Sequence, residues 1–220
     1  MRKTITFLLA FSLTIGLTSP FAFAIKPLKN GDDVPKNVIK LKPIALALGI
    51  VALQYERAFG PHISAACDVS LLAYSIGAAA GTPSGTNALS YKLTGFGISP
   101  EFRYYPANAR PAPKGFFVAP FIEFYSLSVN VSGTDATTGK DVSGSISGIN
   151  AGGGGALLGW QFLIGNVFSI DINAGFRYLS LTTPSSYEYT VNGQNKVVAV
   201  PSVSASGIGP AGNIALGFAF

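Results

Sequence analysis

One histidine and one cysteine bound the chemistry open to this 220-residue chain. Cys67 has no second thiol to pair with, no C-x-x-C partner and no histidines around it at metal-ligand spacing. No disulfide, metal site or cofactor is expected. The glycine run at 152–155 lacks the Lys-Ser/Thr that follows the glycines of a phosphate loop, and it opens no helix. It reads as room for curvature or close backbone packing. The one catalytic spacing is His62-x-Ser64, two side chains that share a face if the segment is a strand. A base within hydrogen-bond reach of a hydroxyl is what nucleophilic lipid hydrolysis requires. Against it, Gly60-Pro61-His62 reads as a turn, on the side of the molecule away from the lipid such hydrolases attack. The expectation is therefore no enzyme, with a lipid-modifying barrel enzyme as the last alternative.

The remaining chemistry is ionic. Lys40, Lys42, Glu56, Asp68, Glu101, Arg103, Glu123, Asp171 and Arg177 make up nine of the twenty-three charged residues beyond Ala24. Each falls in a run where large apolar residues alternate with small or polar ones, and each lies on the small face. The spacers on that face are Ala52, Ala66, Gly97, Ser99, Gly175, Ala215 and Gly217. Small residues between ions suit a crowded, concave space rather than a face open to water. Four of the nine are basic and five acidic, so they can neutralise one another. A buried charge must be paired, because stripping one partner from such a pair costs about 3–5 kcal/mol. The expected arrangement is a closed charge network plugging a lumen, with no open diffusion channel. A narrow conduit or binder for small apolar ligands is the alternative.

The elements that must position these ions are strands, since alternation of faces is the period of a strand. Eight candidates follow one another, at about 37–47, 50–58, 62–72, 95–105, 116–129, 151–163, 168–179 and 208–220. In the seventh, Phe168, Ile170, Ile172, Ala174, Phe176 and Tyr178 oppose Ser169, Asp171, Asn173, Gly175 and Arg177. The fourth sets Phe96, Ile98, Pro100, Phe102 and Tyr104 against Gly97, Ser99, Glu101 and Arg103. The phases of the first and fifth are the least determined, and 38–48 could also be a buried helical piece. Pro100 and Pro120 predict a local bulge at each, because proline lacks the ladder N–H. Short links at 59–61, 106–114 and 165–167 alternate with long Gly/Ser/Thr-rich ones at 77–93, 130–150 and 181–207. Short turns at one rim and long loops at the other are the outer-membrane barrel pattern.

Ile214, Leu216, Phe218 and Phe220 alternate with small or polar residues at the end of the chain, which stops on an aromatic. This looks like the closing strand of such a barrel, in which these four positions would be read by the barrel-assembly machinery. Aromatics near the proposed strand ends (Tyr55, Tyr104, Tyr105, Phe116, Phe117, Trp160, Phe168 and Tyr178) suggest interfacial girdles. At the other terminus, Arg2 and Lys3, an apolar run from 5 to 17, and Ala22-Phe23-Ala24 form a signal-peptide pattern cleaved after Ala24. Residues 25–36 read as a periplasmic lead-in.

Composition agrees. The chain is 48% hydrophobic and only 11% charged, against a usual charged share of about 25%. No apolar run approaches the ~18 residues of a spanning helix. In lipid every backbone polar group must be paired internally, so a greasy chain without such a helix can span only as a closed barrel. The formal charge of +5 is dispersed, and nucleic-acid binding has no footprint.

The segments NVIKLKPIALALG, LQYERAFGPHIS, GFGISPEFRYYP, KGFFVAPFIEFY and GNVFSIDINAGFRY resemble a family of small outer-membrane barrels. Its architecture is similar to that of OmpA/OmpX-type and OmpW-like proteins. The resemblance implies an all-β, eight-stranded antiparallel up-and-down transmembrane barrel over 37–220, in the bacterial outer membrane. It carries over no catalytic residue. Function would then lie in envelope structure or in surface interaction through the long loops. The inversion is directly measurable in a Cys67→Ala background: with Asp171→Cys the thiol should be inaccessible to lipid-soluble maleimide, and with Ile172→Cys it should react with that reagent only.

Overall fold

The computed structural model describes residues 34–82, 85–107, 111–134, 141–191, 194–199 and 201–220. The proposed signal peptide and most of the lead-in lie outside the described residues. In chain order the elements are β1 (Asn37–Leu41), α1 (Pro43–Ala47), β2 (Ile50–Ala58), β3 (Ile63–Thr82), β4 (Gly85–Tyr104) and β5 (Gly115–Thr134). They continue with β6 (Asp141–Ile164), β7 (Phe168–Thr182), β8 (Ser186–Val191), β9 (Gln194–Ala199) and β10 (Ser204–Ala219).

Each strand from β1 to β6 pairs antiparallel with the next, β7 pairs with β10, and β10 returns to β1. The result is a closed, all-β, eight-stranded antiparallel barrel. The joint is short: Val38–Leu41 face Ala219–Leu216 in reverse order, extended by reciprocal Asn37–Phe220 backbone hydrogen bonds of 3.0 and 2.9 Å. The near end of the barrel, where β1 starts and β10 stops, holds the short links. Hairpins at the far end are much longer.

Those hairpins correct the expectation of long loops. Most of 77–93 and of 130–150 is continuous strand, in ladders between β3 and β4 and between β5 and β6. Within 181–207, β8 and β9 form a further hairpin, and β8 pairs with β6 beyond the part of β6 that meets β7. Ser, Thr and Gly dominate there without any large apolar alternation, so the pattern that marks a two-faced strand is missing although the ladder is present. Residues 83–84, 135–140, 192–193 and 200 of these links lie outside the described residues, as do 108–110 of a short one.

The first strand is also corrected. It ends at Leu41, and Pro43 begins a single helical turn, α1, which buries none of its residues. Proline suits the first turn of a helix because the missing N–H would have no partner there. Gly49, at φ +77°, then turns the chain into β2.

No bulge occurs at the prolines. The β4–β5 register is the same on either side of them, Ile98 facing Phe124 and Glu101 facing Phe121. On that register Pro100 faces Ile122, and Ser99 Oγ donates to the Ile122 carbonyl at 2.9 Å. A side-chain hydroxyl thus occupies the acceptor opposite a residue that has no N–H, and the strand stays in register. The one register shift in the β5–β6 ladder is elsewhere, between Leu127 and Ser128, near Gly148 at φ +81°.

The large apolar face points outward. Leu53, Tyr55, Val69, Leu71, Phe96, Phe102, Ile122, Phe124, Leu158, Phe162, Ile172, Phe176, Leu216 and Phe218 are all exposed. The small face points in, with Ala52, Ala66, Ala119, Ala151, Ala215 and Ala219 buried. Inward glycines make room for inward rings: a Cβ on Gly159 would stand 2.4 Å from Phe117 Cζ, and one on Gly97 would stand 2.4 Å from Tyr125 Cδ1. An eight-stranded barrel is only wide enough for side chains to fill, so bulk on one strand requires its absence on a neighbour.

Candidate functional site

The interior of the near half is an ion cluster. β1 places Lys40 inward, β2 Glu56, β4 Arg103 and β7 Asp171, and each is wholly buried. Their side chains close a ring of alternating sign. Lys40 Nζ lies 2.5 Å from Glu56 Oε2 and 2.7 Å from Asp171 Oδ2. Arg103 Nη1 lies 3.1 Å from Glu56 Oε2 and 2.6 Å from Asp171 Oδ2. Every ion therefore touches both ions of the opposite sign. Gln161, from β6, accepts at Oε1 from Lys40 Nζ at 2.8 Å and from Arg103 Nη1 at 2.9 Å.

The other lone pairs of Glu56 are also occupied. Its Oε1 accepts from Ser64 Oγ at 2.6 Å and from Tyr105 Oη at 2.7 Å. Asp171 Oδ1 accepts from Asn173 Nδ2 at 3.0 Å. The Arg103 guanidinium lies 4.2 Å over the Phe117 ring, a cation–π contact in a water-excluded place. Its Nε donates to Glu101 Oε1 at 2.8 Å. Gln54 joins the next layer, donating to Glu101 Oε2 at 3.0 Å and Asp68 Oδ2 at 3.1 Å. Lys42 reaches Asp68 from the end of β1.

Two buried apolar groups pack around the cluster. Val38, Leu163 and Ala219 form one buried group with Val34 against it. Ala58, Tyr105, Ala112, Phe117, Ala119 and Leu157 form another. Farther up the lumen, Glu123 Oε2 accepts from Tyr125 Oη at 2.8 Å and from Arg177 Nη1 at 3.3 Å.

All nine ions named from the sequence thus face the interior. They form not one network but a tight ring, a second layer reaching it through Glu101, and a separate Glu123–Arg177 pair. The sequence reading missed Gln54, Ser64, Tyr105, Gln161 and Asn173 as members; all sit at inward positions of their strands, so strand parity was the available signal. Tyr105 and Phe117 are corrections. Their place near strand ends suggests an outer aromatic girdle, but both are fully buried inside. Consecutive residues of a strand point to opposite faces, so only one of Tyr104–Tyr105 and one of Phe116–Phe117 could lie outside. Tyr55, Tyr104, Trp160, Phe168 and Tyr178 do. Ile214, Leu216, Phe218 and Phe220 are also exposed, the last three at the joint and Ile214 just beyond it.

The structure does not join His62 to Ser64. Ser64 Oγ is committed to Glu56, and His62 Nδ1 lies 2.8 Å from the Tyr105 carbonyl. Cys67 faces outward, partly exposed, between Ala65 and Val69. Among the described residues no group of His, Cys, Asp or Glu could hold a metal ion, and no helix is long and apolar enough to cross a membrane. The glycines at 153 and 155 lie in β6 against the β7 backbone, where a Cβ would stand 2.0 Å from the carbonyl oxygens of Tyr178 and Phe176.

Fold and site together define a closed antiparallel barrel with an apolar exterior and an ion-filled interior. The chain belongs to the family described as "Protein of unknown function (DUF3575)", whose model matches residues 18–206. No curated protein matches it. Among solved structures it is similar to Acinetobacter baumannii CarO, with 9% identity, a TM-score of 0.35, and coverage of 85% of this chain and 98% of that one.

Removing one carboxylate leaves two buried cations sharing the other. Asp171→Asn should therefore destabilise the barrel by about 3–5 kcal/mol. The exposed control Arg57→Ala should stay within about 0.5 kcal/mol. Denaturant unfolding followed by Trp160 fluorescence measures both.

Proposed function

We propose that this chain is a non-enzymatic outer-membrane barrel with a closed near half, acting in envelope structure or surface interaction through its far-end hairpins. The observation that carries the reading is the inverted burial. Phe96, Phe102, Phe124, Phe162, Phe176 and Phe218 stand exposed, while Lys40, Glu56, Arg103 and Asp171 are wholly buried. A protein in water does the reverse, because burying apolar area is favourable and burying ions is costly. Against lipid the same arrangement is the stable one. On β7 the large apolar side chains run from Phe168 to Tyr178, close to the ~9–11 residues of a tilted transmembrane strand. Closure of the strand order through the β1–β10 joint supports it further, because a barrel closed on itself pairs most of the backbone polar groups that hydrocarbon would leave unsatisfied.

On this reading residues 1–24 are a signal peptide and the chain enters the periplasm. The near end faces the periplasm, and Ile214, Leu216, Phe218 and Phe220 serve the barrel-assembly machinery. Architectural similarity to OmpA/OmpX-type and OmpW-like barrels belongs to the same proposal.

Two measurements test it. In planar bilayers the wild-type protein should give no discrete openings, whereas Lys40→Ala combined with Arg103→Ala should; openings in the wild type would contradict the closed lumen. Excising the β8–β9 hairpin should leave the barrel folded, as judged by heat-modifiable gel mobility, while abolishing any adhesion or phage sensitivity the protein confers. Unchanged phenotypes would exclude a surface role for that hairpin.

A further inference from the structure

The barrel wall is discontinuous on one side. β10 is paired with β1 only from Leu216 to Ala219, whereas its pairing with β7 runs from Ser204 to Phe218. Residues 204–215 of β10 therefore have a strand on one edge and, among the described residues, none on the other. On the opposite side of the seam, Ile50 and Val51 of β2 pair with β3 but not with β1, and Ala52 is met there only by the Lys42 N–H, which donates to its carbonyl at 3.2 Å. The cause is the length of β1, five residues, after which the chain leaves the ladder. Only α1 stands in the seam, packed against both β2 and β10. Its apolar side chains are left open: Ile44, and Leu48 just beyond its last residue, are more than half exposed.

Behind α1, in the far half of the lumen, lies a cavity of about 370 Å³. That is within the ~300–1,000 Å³ usual for small-ligand sites. Its chemistry is divided. On the seam side it is lined by Ile44, Leu48, Ile50, Pro210 and Ala211. On the lumen side it is lined by Asp68, Glu101, Glu123, Lys42 and Arg177, three carboxylates against two cations. Asp68 and Glu123 are 7% and 2% exposed, and each keeps one oxygen, Oδ1 and Oε1, that receives no hydrogen bond from the protein. A buried carboxylate oxygen favours a donor, so the polar wall is complementary to a cationic, hydrogen-bond-donating group. The apolar wall is continuous with the seam.

We propose that this cavity binds a single-chain amphiphile with an ammonium head, the head at Asp68 and Glu123 and the tail lying in the seam against α1 and β10. The site goes beyond the closed-lumen reading: it sits above the ion ring and needs no passage through it. It rests on that reading only in that the seam opens to lipid. α1 is suited to yield, being one turn long, without a side-chain cap at Lys42, and followed by the left-handed Gly49.

The test is photolabelling of the full-length barrel in phosphatidylcholine vesicles with decylammonium carrying a diazirine at the tail end. Insertion is checked first by heat-modifiable mobility and vesicle flotation, so that failure to insert counts against the outer-membrane reading and not against the site. Saturable labelling is expected on peptides covering 43–50 and 208–213. Ala211→Trp, which fills the cavity without touching a charge, should abolish it. Glu123→Gln should weaken it about tenfold, as loss of a charge-assisted hydrogen bond implies, while leaving the weaker labelling by the matching decanol probe unchanged. Labelling spread over the outer face, on peptides containing Phe168 or Phe176, or undiminished in Ala211→Trp, would overturn the proposal.

Discussion

Four ions arranged so that each touches both of the opposite sign govern the interior of this barrel. Lys40, Glu56, Arg103 and Asp171 come from four different strands, and no water reaches any of them. A single buried pair seldom recovers the desolvation of its members. A ring does better, because every charge is shared by two counter-ions, and Gln161, Ser64, Tyr105 and Asn173 occupy much of the remaining hydrogen-bonding capacity. The ring also fixes register. Slipping any one of these strands by a residue would carry its ion to the greasy exterior, so the correct pairing of distant strands is enforced from within.

Around that ring the packing follows from the narrowness of the lumen. Phe117 fits over Arg103 because Gly159 leaves the space, and Tyr125 reaches Glu123 beside Gly97. Interiors of small barrels commonly alternate bulk and its absence in this way. Here the alternation also has an electrostatic part: the aromatic ring excludes water from a guanidinium whose partners are carboxylates, which strengthens every contact in the ring.

The short first strand has the opposite effect. Five residues are enough to close the near end, but they leave the far half of the wall to a single helical turn. Closure and access are thus separated along the barrel axis. The near half is sealed by ions and by Val34, Val38, Leu163 and Ala219, and the far half holds the cavity. The proline at the start of α1 and the left-handed glycine beyond its end mark where the chain departs from the ladder.

Much of this was legible in the sequence. Eight strands, their inward and outward faces, and the nine inward ions all follow from a period of two. That period is local: it depends only on backbone geometry and on residues two apart. The far-end ladders were not legible, because Ser, Thr and Gly pair as strands without a two-faced pattern. Tyr105 and Phe117 lie near strand ends, as girdle aromatics do, but strand parity turns both inward. What the sequence determined by itself is which side chains share a face. What only the tertiary structure decided is which of them touch, that Lys40 meets Asp171 across the lumen and that the wall is left open beside α1. Those contacts depend on ring closure and on the stagger between strands far apart in the chain, which no local spacing encodes.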